Sequence, residues 1–143
     1  MTINRNEFAA VGSDRDDVIR ILQQFVDSGT SGDVKSALAA CARDTVIIDE
    51  FPPYVWHGDG SCERWAKDFG AHAQKNAIAH GLVTLGTPLH IDVTGDQAYA
   101  VMRADYTFHM KEKEIKEVDA LWTVSLRKNG NGWQITGFAW SKS

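Results

Sequence analysis

The sequence predicts an α+β fold, on three observations. Apolar residues recur at helical spacing from Val18 to Ala73, with one strand-like run between them. From Leu82 onward they alternate with polar residues over long stretches. Asn129-Gly130-Asn131-Gly132 then separates two such stretches, and asparagine–glycine pairs close tight hairpins. Three helices followed by antiparallel strands place the helices on one face of a curved sheet. A length of 143 residues fits one domain with one core.

Residues 1–12 are polar and lack periodicity, so they are expected to form a flexible arm, with the domain spanning 13–143. Ser13 precedes Asp14-Arg15-Asp16, an N-cap with acids in a first turn, where the helix dipole favours them. Val18, Ile21, Leu22, Phe25 and Val26 share one helix face. Gly29 and Gly32 end that helix. Asp33 caps a shorter one, with Val34, Ala37, Leu38 and Cys41 as its apolar face. Thr45 to Phe51 reads as a strand stopped by Pro52-Pro53, since neither proline can donate to a ladder. Ser61 and Glu63 open a third helix whose stripe is Cys62, Trp65, Ala66, Phe69 and Ala73.

Leu82 to Val93 is a strand, with Gly86 and Pro88 marking a bulge or bend. Ala98 to Met110 alternates cleanly, with Ala98, Ala100, Met102, Ala104, Tyr106 and Phe108 on one face. Glu114 to Arg127 sets Val118, Ala120, Trp122, Val124 and Leu126 against Glu117, Asp119, Thr123 and Ser125. In the last strand, Trp133 to Ser141, strict alternation puts Trp133 and Ile135 toward the helices. Phe138 and Trp140 then lie on the outer sheet face, and an exposed aromatic pair points to self-association.

Hydrophobic residues make up 43% and charged residues 24% of the chain, as in ordinary globular proteins. A net charge of -4 argues against nucleic acid or an anionic membrane as partner. No apolar run reaches the roughly 18 residues of a membrane span. The start of the chain shows no secretory pattern. The two cysteines, Cys41 and Cys62, fall at apolar helix positions and read as small core residues. A reducing, cytoplasmic location is the resulting expectation. His57, His72, His80, His90 and His109 have no zinc-motif spacing, so no metal site is expected.

The chemistry concentrates in Cys41 to Gly60. Asp49 and Glu50 follow the apolar run Val46-Ile47-Ile48 and precede Phe51, Tyr54 and Trp56. A carboxylate at the end of a buried strand among aromatic rings has a raised pKa and can act as a general base or acid. Neighbouring strand residues face opposite ways, so only one of the two acids is expected to enter a pocket, and Asp49 is the candidate. Tyr54 and Trp56 would flank its mouth. Met102, Tyr106 and Trp122 would line its apolar wall, as would a packed core.

The order of these pieces resembles the nuclear-transport-factor-like superfamily, and its SnoaL-like members in particular. The carriers are the first helix followed by Ser31-Gly32-Asp33, the ARDTVIID strand, the FPPYVWHG loop and the closing NGNGWQITGFAWS, over about Asp14 to Ser141. The resemblance implies a cone, with a curved antiparallel sheet wrapped around three N-terminal helices and a deep apolar pocket inside. It places Asp49 where ketosteroid isomerase carries its base. It places Phe25 where that enzyme carries an oxyanion tyrosine, so that donor is missing. It also implies a homodimer joined through the outer sheet face.

Two functions remain open at this point. The first is a cofactor-independent isomerase, cyclase or dehydratase acting on a small hydrophobic molecule, with Asp49 moving the proton. The second is a non-catalytic module that binds a small hydrophobic ligand or serves association.

Overall fold

The computed structural model describes the backbone of residues 5–143 and the side chains from residue 14 onward. Helix α1 (Arg5–Ser31) is followed by α2 (Val34–Ala39), β1 (Cys41–Ile48), β2 (Val55–Trp56) and α3 (Ser61–Lys75). Four long strands complete the chain: β3 (Ile78–Thr94), β4 (Gln97–Met110), β5 (Lys113–Asn129) and β6 (Gly132–Ser141). They form one six-stranded sheet in the order β2-β1-β6-β5-β4-β3. Every pairing is antiparallel except β1 with β6.

Val18, Leu22, Phe25 and Val26 are the buried stripe of α1, packed on the concave face of the sheet. Asp14 ties the helix to the sheet, since its Oδ1 accepts from Lys128 Nζ at 2.8 Å and from Trp133 Nε1 at 3.2 Å. Ser13, expected as the N-cap, lies inside α1 because the helix begins at Arg5. The arm expected over residues 1–12 therefore overlaps the helix, and its first four residues lie outside those described. Gly32 turns the chain at a φ of 80°, a backbone conformation that glycine adopts at least cost. Asp33 then caps α2, accepting from Ser36 N at 3.2 Å.

Cys41 begins β1 and does not continue α2, and it is joined to Cys62 in the first turn of α3 by a disulfide. The cysteines are buried as expected, at 8% and 4% exposure, but they are bonded and not separate core residues. The strand predicted over Thr45 to Phe51 is displaced toward the N-terminus and ends at Ile48.

Two bulges decide which residues face inward. In β5, Val118 and Asp119 together oppose the single residue Asp105 of β4. Asp119 sits at a φ of 59°, and its N–H donates to Asp105 Oδ1 at 3.0 Å. One extra residue reverses the alternation before it. Val118, expected inside, is 50% exposed, and Glu117, expected outside, is turned inward and half-buried. In β6 the extra residue is Thr136, because Ile135 pairs with Leu126 while Gly137 pairs with Ser125. Trp133 and Ile135 are buried as expected, but Phe138 is also buried and Trp140 packs against the core. The outward pair that sequence alternation predicts is thus inside. Gly137 permits this close approach, since a Cβ there would lie 3.1 Å from Ser125 Oγ and 3.4 Å from Val46 O.

Candidate functional site

Between α1, α2, α3 and the concave sheet lies a cavity of about 590 Å³. Its floor is an aromatic cluster. Phe25 stacks on Trp65 and Trp122 at 5.9 and 5.7 Å between ring centres, and Phe138 meets Phe25, Trp65 and Trp122 edge-on at 5.5–5.8 Å. Such a concave apolar space with a few convergent polar groups is the usual form of a small-molecule site.

Those polar groups come mainly from the chain just past β1. Both Asp49 and Glu50 line the cavity, which corrects the expectation that only one of them enters. The rule of alternating faces applies within a strand, and β1 has ended at Ile48. The bend is closed by Asp49 N donating to Tyr54 O at 3.0 Å and Tyr54 N donating to Phe51 O at 2.9 Å. Asp49 is held at both oxygens: Oδ1 accepts from Glu50 N at 2.7 Å and Oδ2 from Trp65 Nε1 at 2.9 Å. Burial raises its pKa above the ordinary aspartate value, while these two N–H donors and the nearby His72 oppose the rise.

Glu50 is in the opposite situation. Its Oε2 is buried and has no hydrogen-bond partner. Burial, the neighbouring Glu117 carboxyl and the charge of Asp49 push its pKa up to about 8, against a smaller downward pull from Lys142. Glu117 reaches this point because of the β5 bulge, and its Oε1 accepts from Trp140 Nε1 at 3.1 Å. Tyr106, which pairs with Glu117 across the sheet, turns its ring into the cavity. Burial and the three acids keep its phenol protonated, so it is a standing hydrogen-bond donor.

Of the candidates read from the sequence, Asp49, Phe25, Tyr106 and Trp122 line the cavity. Tyr54, Trp56 and Met102 do not. Tyr54 sits at a φ of 73° and is 56% exposed. Trp56 is buried in β2, its indole N–H donating to Asp68 Oδ2 at 2.8 Å. Met102 is buried in the core of β4. His57 is exposed and does not line the cavity. Glu50 was read from the sequence only as the alternative to Asp49, and His72 and Trp140 are lining residues that sequence reasoning did not place at the site. His72 stacks on Phe51 at 5.0 Å and lines the cavity, with Asn76 Nδ2 3.2 Å from its Nδ1. Among the described residues, no group of three or more metal-ligating side chains is gathered at one point.

The sequence matches the SnoaL-like domain family over residues 18–141. The chain belongs to that family. Solved structures similar to this SnoaL-like chain include a nuclear transport factor 2-like superfamily protein from Salmonella enterica. It is 16% identical with a TM-score of 0.77, and 92% of each chain is covered. Another is an NTF2-like protein with a cystatin-like fold from Novosphingobium aromaticivorans, at 15% identity and a TM-score of 0.75, covering 99% of this chain and 91% of that one. A third is a hexachlorocyclohexane dehydrochlorinase from Novosphingobium barchaimii, at 9% identity and a TM-score of 0.77, covering 96% and 90%. At these identities the likeness is one of fold. No protein of curated function matches the sequence. No helix among the described residues is long and apolar enough to cross a membrane.

Proposed function

We propose that this SnoaL-like domain is a cofactor-independent acid–base enzyme. It acts on a small or medium apolar molecule bearing a carbonyl or a similar activating group. The observation that carries this reading is the placement of Asp49, a carboxylate pinned at both oxygens on the wall of an aromatic cavity. A fixed base beside a buried apolar substrate needs no reorganisation to take a proton from carbon. Tyr106 orients the substrate oxygen, and Phe25 and Trp122 hold its apolar body. The reaction class is isomerisation, cyclisation or dehydration. A structural neighbour named as a dehydrochlorinase supports proton-removing chemistry in this fold, although fold alone is a weak guide to activity.

A binding module without turnover is the second reading. It is favoured by Phe25, which offers a ring face and no donor at the cavity floor. Asp49→Asn separates the two. The enzyme reading expects turnover to fall by at least about a hundredfold, the usual share of a general base, with ligand affinity kept. NMR titration of the Asp49 carboxyl is the direct check, and a value near the model-peptide 4 or so would sink the catalytic assignment.

The protein is further proposed to be a homodimer through the outer sheet face. With Phe138 and Trp140 turned inside, that proposal rests on other residues. Val55, Ile48, Ala139, Thr123 and Val101 are directly opposed in one row across five strands. The cytoplasmic expectation rested on the lack of a secretory pattern and a membrane span and on unpaired cysteines, and the Cys41–Cys62 bond removes the last of these supports, because disulfides persist mainly in oxidising compartments.

A further inference from the structure

The cavity wall carries two carboxyl groups, Asp49 and Glu50, and no lysine or arginine lines it. None of the ion pairs among the described residues takes in Asp49, Glu50 or Glu117. A carboxylate taken out of water is costly to hold unless an opposite charge or enough donors meet it. Asp49 is met by two N–H groups, from Glu50 and Trp65. Glu50 has no such support at Oε2, which is buried without a hydrogen-bond partner. We infer that the ligand of this cavity is an organic cation, an apolar molecule whose protonated amine nitrogen is taken by Glu50. The inference rests on the reading of the cavity as a small-molecule site and names the chemical class that the site takes.

The surrounding side chains suit a cation with an apolar body. From the helix side, Trp65 lines the cavity and brings its indole N–H to Asp49 Oδ2 at 2.9 Å. From the sheet side, Tyr106 and Trp140 line it and meet edge-on at 6.2 Å between ring centres. Aromatic rings attract ammonium groups, more strongly where water is excluded. Behind Trp140 lies a third carboxyl group, Glu117, whose Oε1 takes the indole N–H at 3.1 Å. The stacked rings of Phe25, Trp65 and Trp122 take the apolar body that carries the nitrogen. A bare metal ion would make no use of that floor, and no three ligating side chains gather at one point among the described residues. An anionic ligand would meet two carboxyl groups and no fixed positive charge on the lining.

Without a ligand, the protein meets the missing positive charge with a proton. The groups that act on Glu50 are Glu117 from β5, Asp49 beside it and Lys142 beyond β6. The Tyr106 phenol from β4 and His72 of α3 line the same cavity. Lys142 favours the charged form of Glu50, but it is exposed and its pull is smaller than that of burial. Glu50 is accordingly held up to about 8 and is neutral at neutral pH. An arriving ammonium group takes the place of that proton. Glu50 releases H⁺ to solvent, and its carboxylate accepts the N–H of the ligand. One positive charge enters as another leaves, so the charge of the site is unchanged. A neutral ligand has no such exchange to offer.

The test is a calorimetric titration of the full chain at neutral pH with three probes that share one ring system. They are naphthylmethylamine in its ammonium form, naphthylmethanol and naphthoate. The ammonium should bind at least about tenfold tighter than the alcohol, and naphthoate should bind weakest. Repeated in buffers of different ionisation enthalpy, ammonium binding should release about one proton and alcohol binding none. In Glu50→Gln the ammonium preference and the proton release should both disappear. The assignment is overturned by an alcohol that binds as tightly as the ammonium, or by a preference that Glu50→Gln leaves intact. The wild-type comparison decides without the variant. Equal binding of all three probes removes the charge assignment alone. Binding of none defeats the reading of the cavity as a small-molecule site, and the inference falls with it.

Discussion

Trp140 donates its indole N–H to Oε1 of Glu117 at 3.1 Å, and each residue faces inward only because its strand carries a bulge. Without the extra residue in β5, Glu117 would point to solvent. Without the extra residue in β6, so would Trp140. The Glu117–Trp140 contact behind the cavity is therefore built by two local departures from regular pairing, one on each of two adjacent strands.

The β5 bulge depends on Asp119 at its positive φ. Aspartate tolerates this region better than most residues, and a β-branched side chain does not. Asp119→Val is expected to cost about 1–2 kcal/mol and to loosen the Glu117–Trp140 contact. Asp119→Gly should be close to neutral, because it relieves the same backbone while losing little else. Urea midpoints of the two variants make the comparison. Equal stability of the valine and glycine variants would mean that the bulge does not depend on this residue.

Glu50 gives the folded state a pH dependence of definite sign. Its pKa is about 8 when folded and close to the model value of 4.5 when unfolded. Between these limits the folded chain holds a proton that the unfolded chain has released, so the contribution of Glu50 to stability falls as pH rises. It is fully present below about 4.5 and lost above about 8. Partial exposure of the side chain damps the effect. The measurement is a denaturant midpoint followed across that window in wild type and in Glu50→Gln. The variant should lack the downward slope, and an identical slope in both would assign the effect to other groups.

The Cys41–Cys62 disulfide joins the start of β1 to the first turn of α3, a sequence separation of 21 residues. Closing a loop of that length removes unfolded-state freedom worth about 3 kcal/mol. Cys62→Ser, or reduction of the native chain, should lower stability on that order. It should also loosen the bend that carries Asp49, which lies between the two cysteines. Thiol counting under native, non-reducing conditions checks the bond itself, and two titratable thiols would show that it does not form in solution.

The helices, the hairpin and the long strands are legible because each rests on a local signal. Val18, Leu22 and Phe25 repeat with the helix, and the Asn-Gly pairs fix a turn. Asp49 is legible for the same reason, as an acid closing an apolar run. Glu117 is not, because strict alternation from Trp122 backward puts it outside. The hint was present nonetheless: Ile115 is out of phase with Ala120, and Trp133 and Ile135 are out of phase with Phe138 and Trp140. Two apolar sets of opposite parity in one strand imply an inserted residue. The disulfide was hidden by placing Cys41 one turn too far into a helix. Tyr54 and Trp56 looked like pocket residues by proximity in sequence, yet after the tight turn at Phe51 Tyr54 faces solvent and Trp56 is buried against Phe51, away from the cavity.

The outer sheet face offers the last prediction. Ile48 and Val55 are 50% and 48% exposed, and Tyr99 and Leu121 are also open on nearby strands. These open apolar residues lie on neighbouring strands of one sheet face, a surface that a second copy can cover about a two-fold axis. In such a dimer the face meets itself, so one introduced charge appears twice and faces its own kind. Ile48→Lys should therefore shift the chain from dimer to monomer in sedimentation at micromolar concentration, with helical and sheet signals unchanged. The aromatic cavity lies on the opposite face of the sheet, so ligand binding should survive the substitution. A wild-type chain that sediments as a monomer throughout would remove the dimer from the account and leave the cavity, with Asp49 and Glu50 on its wall, untouched.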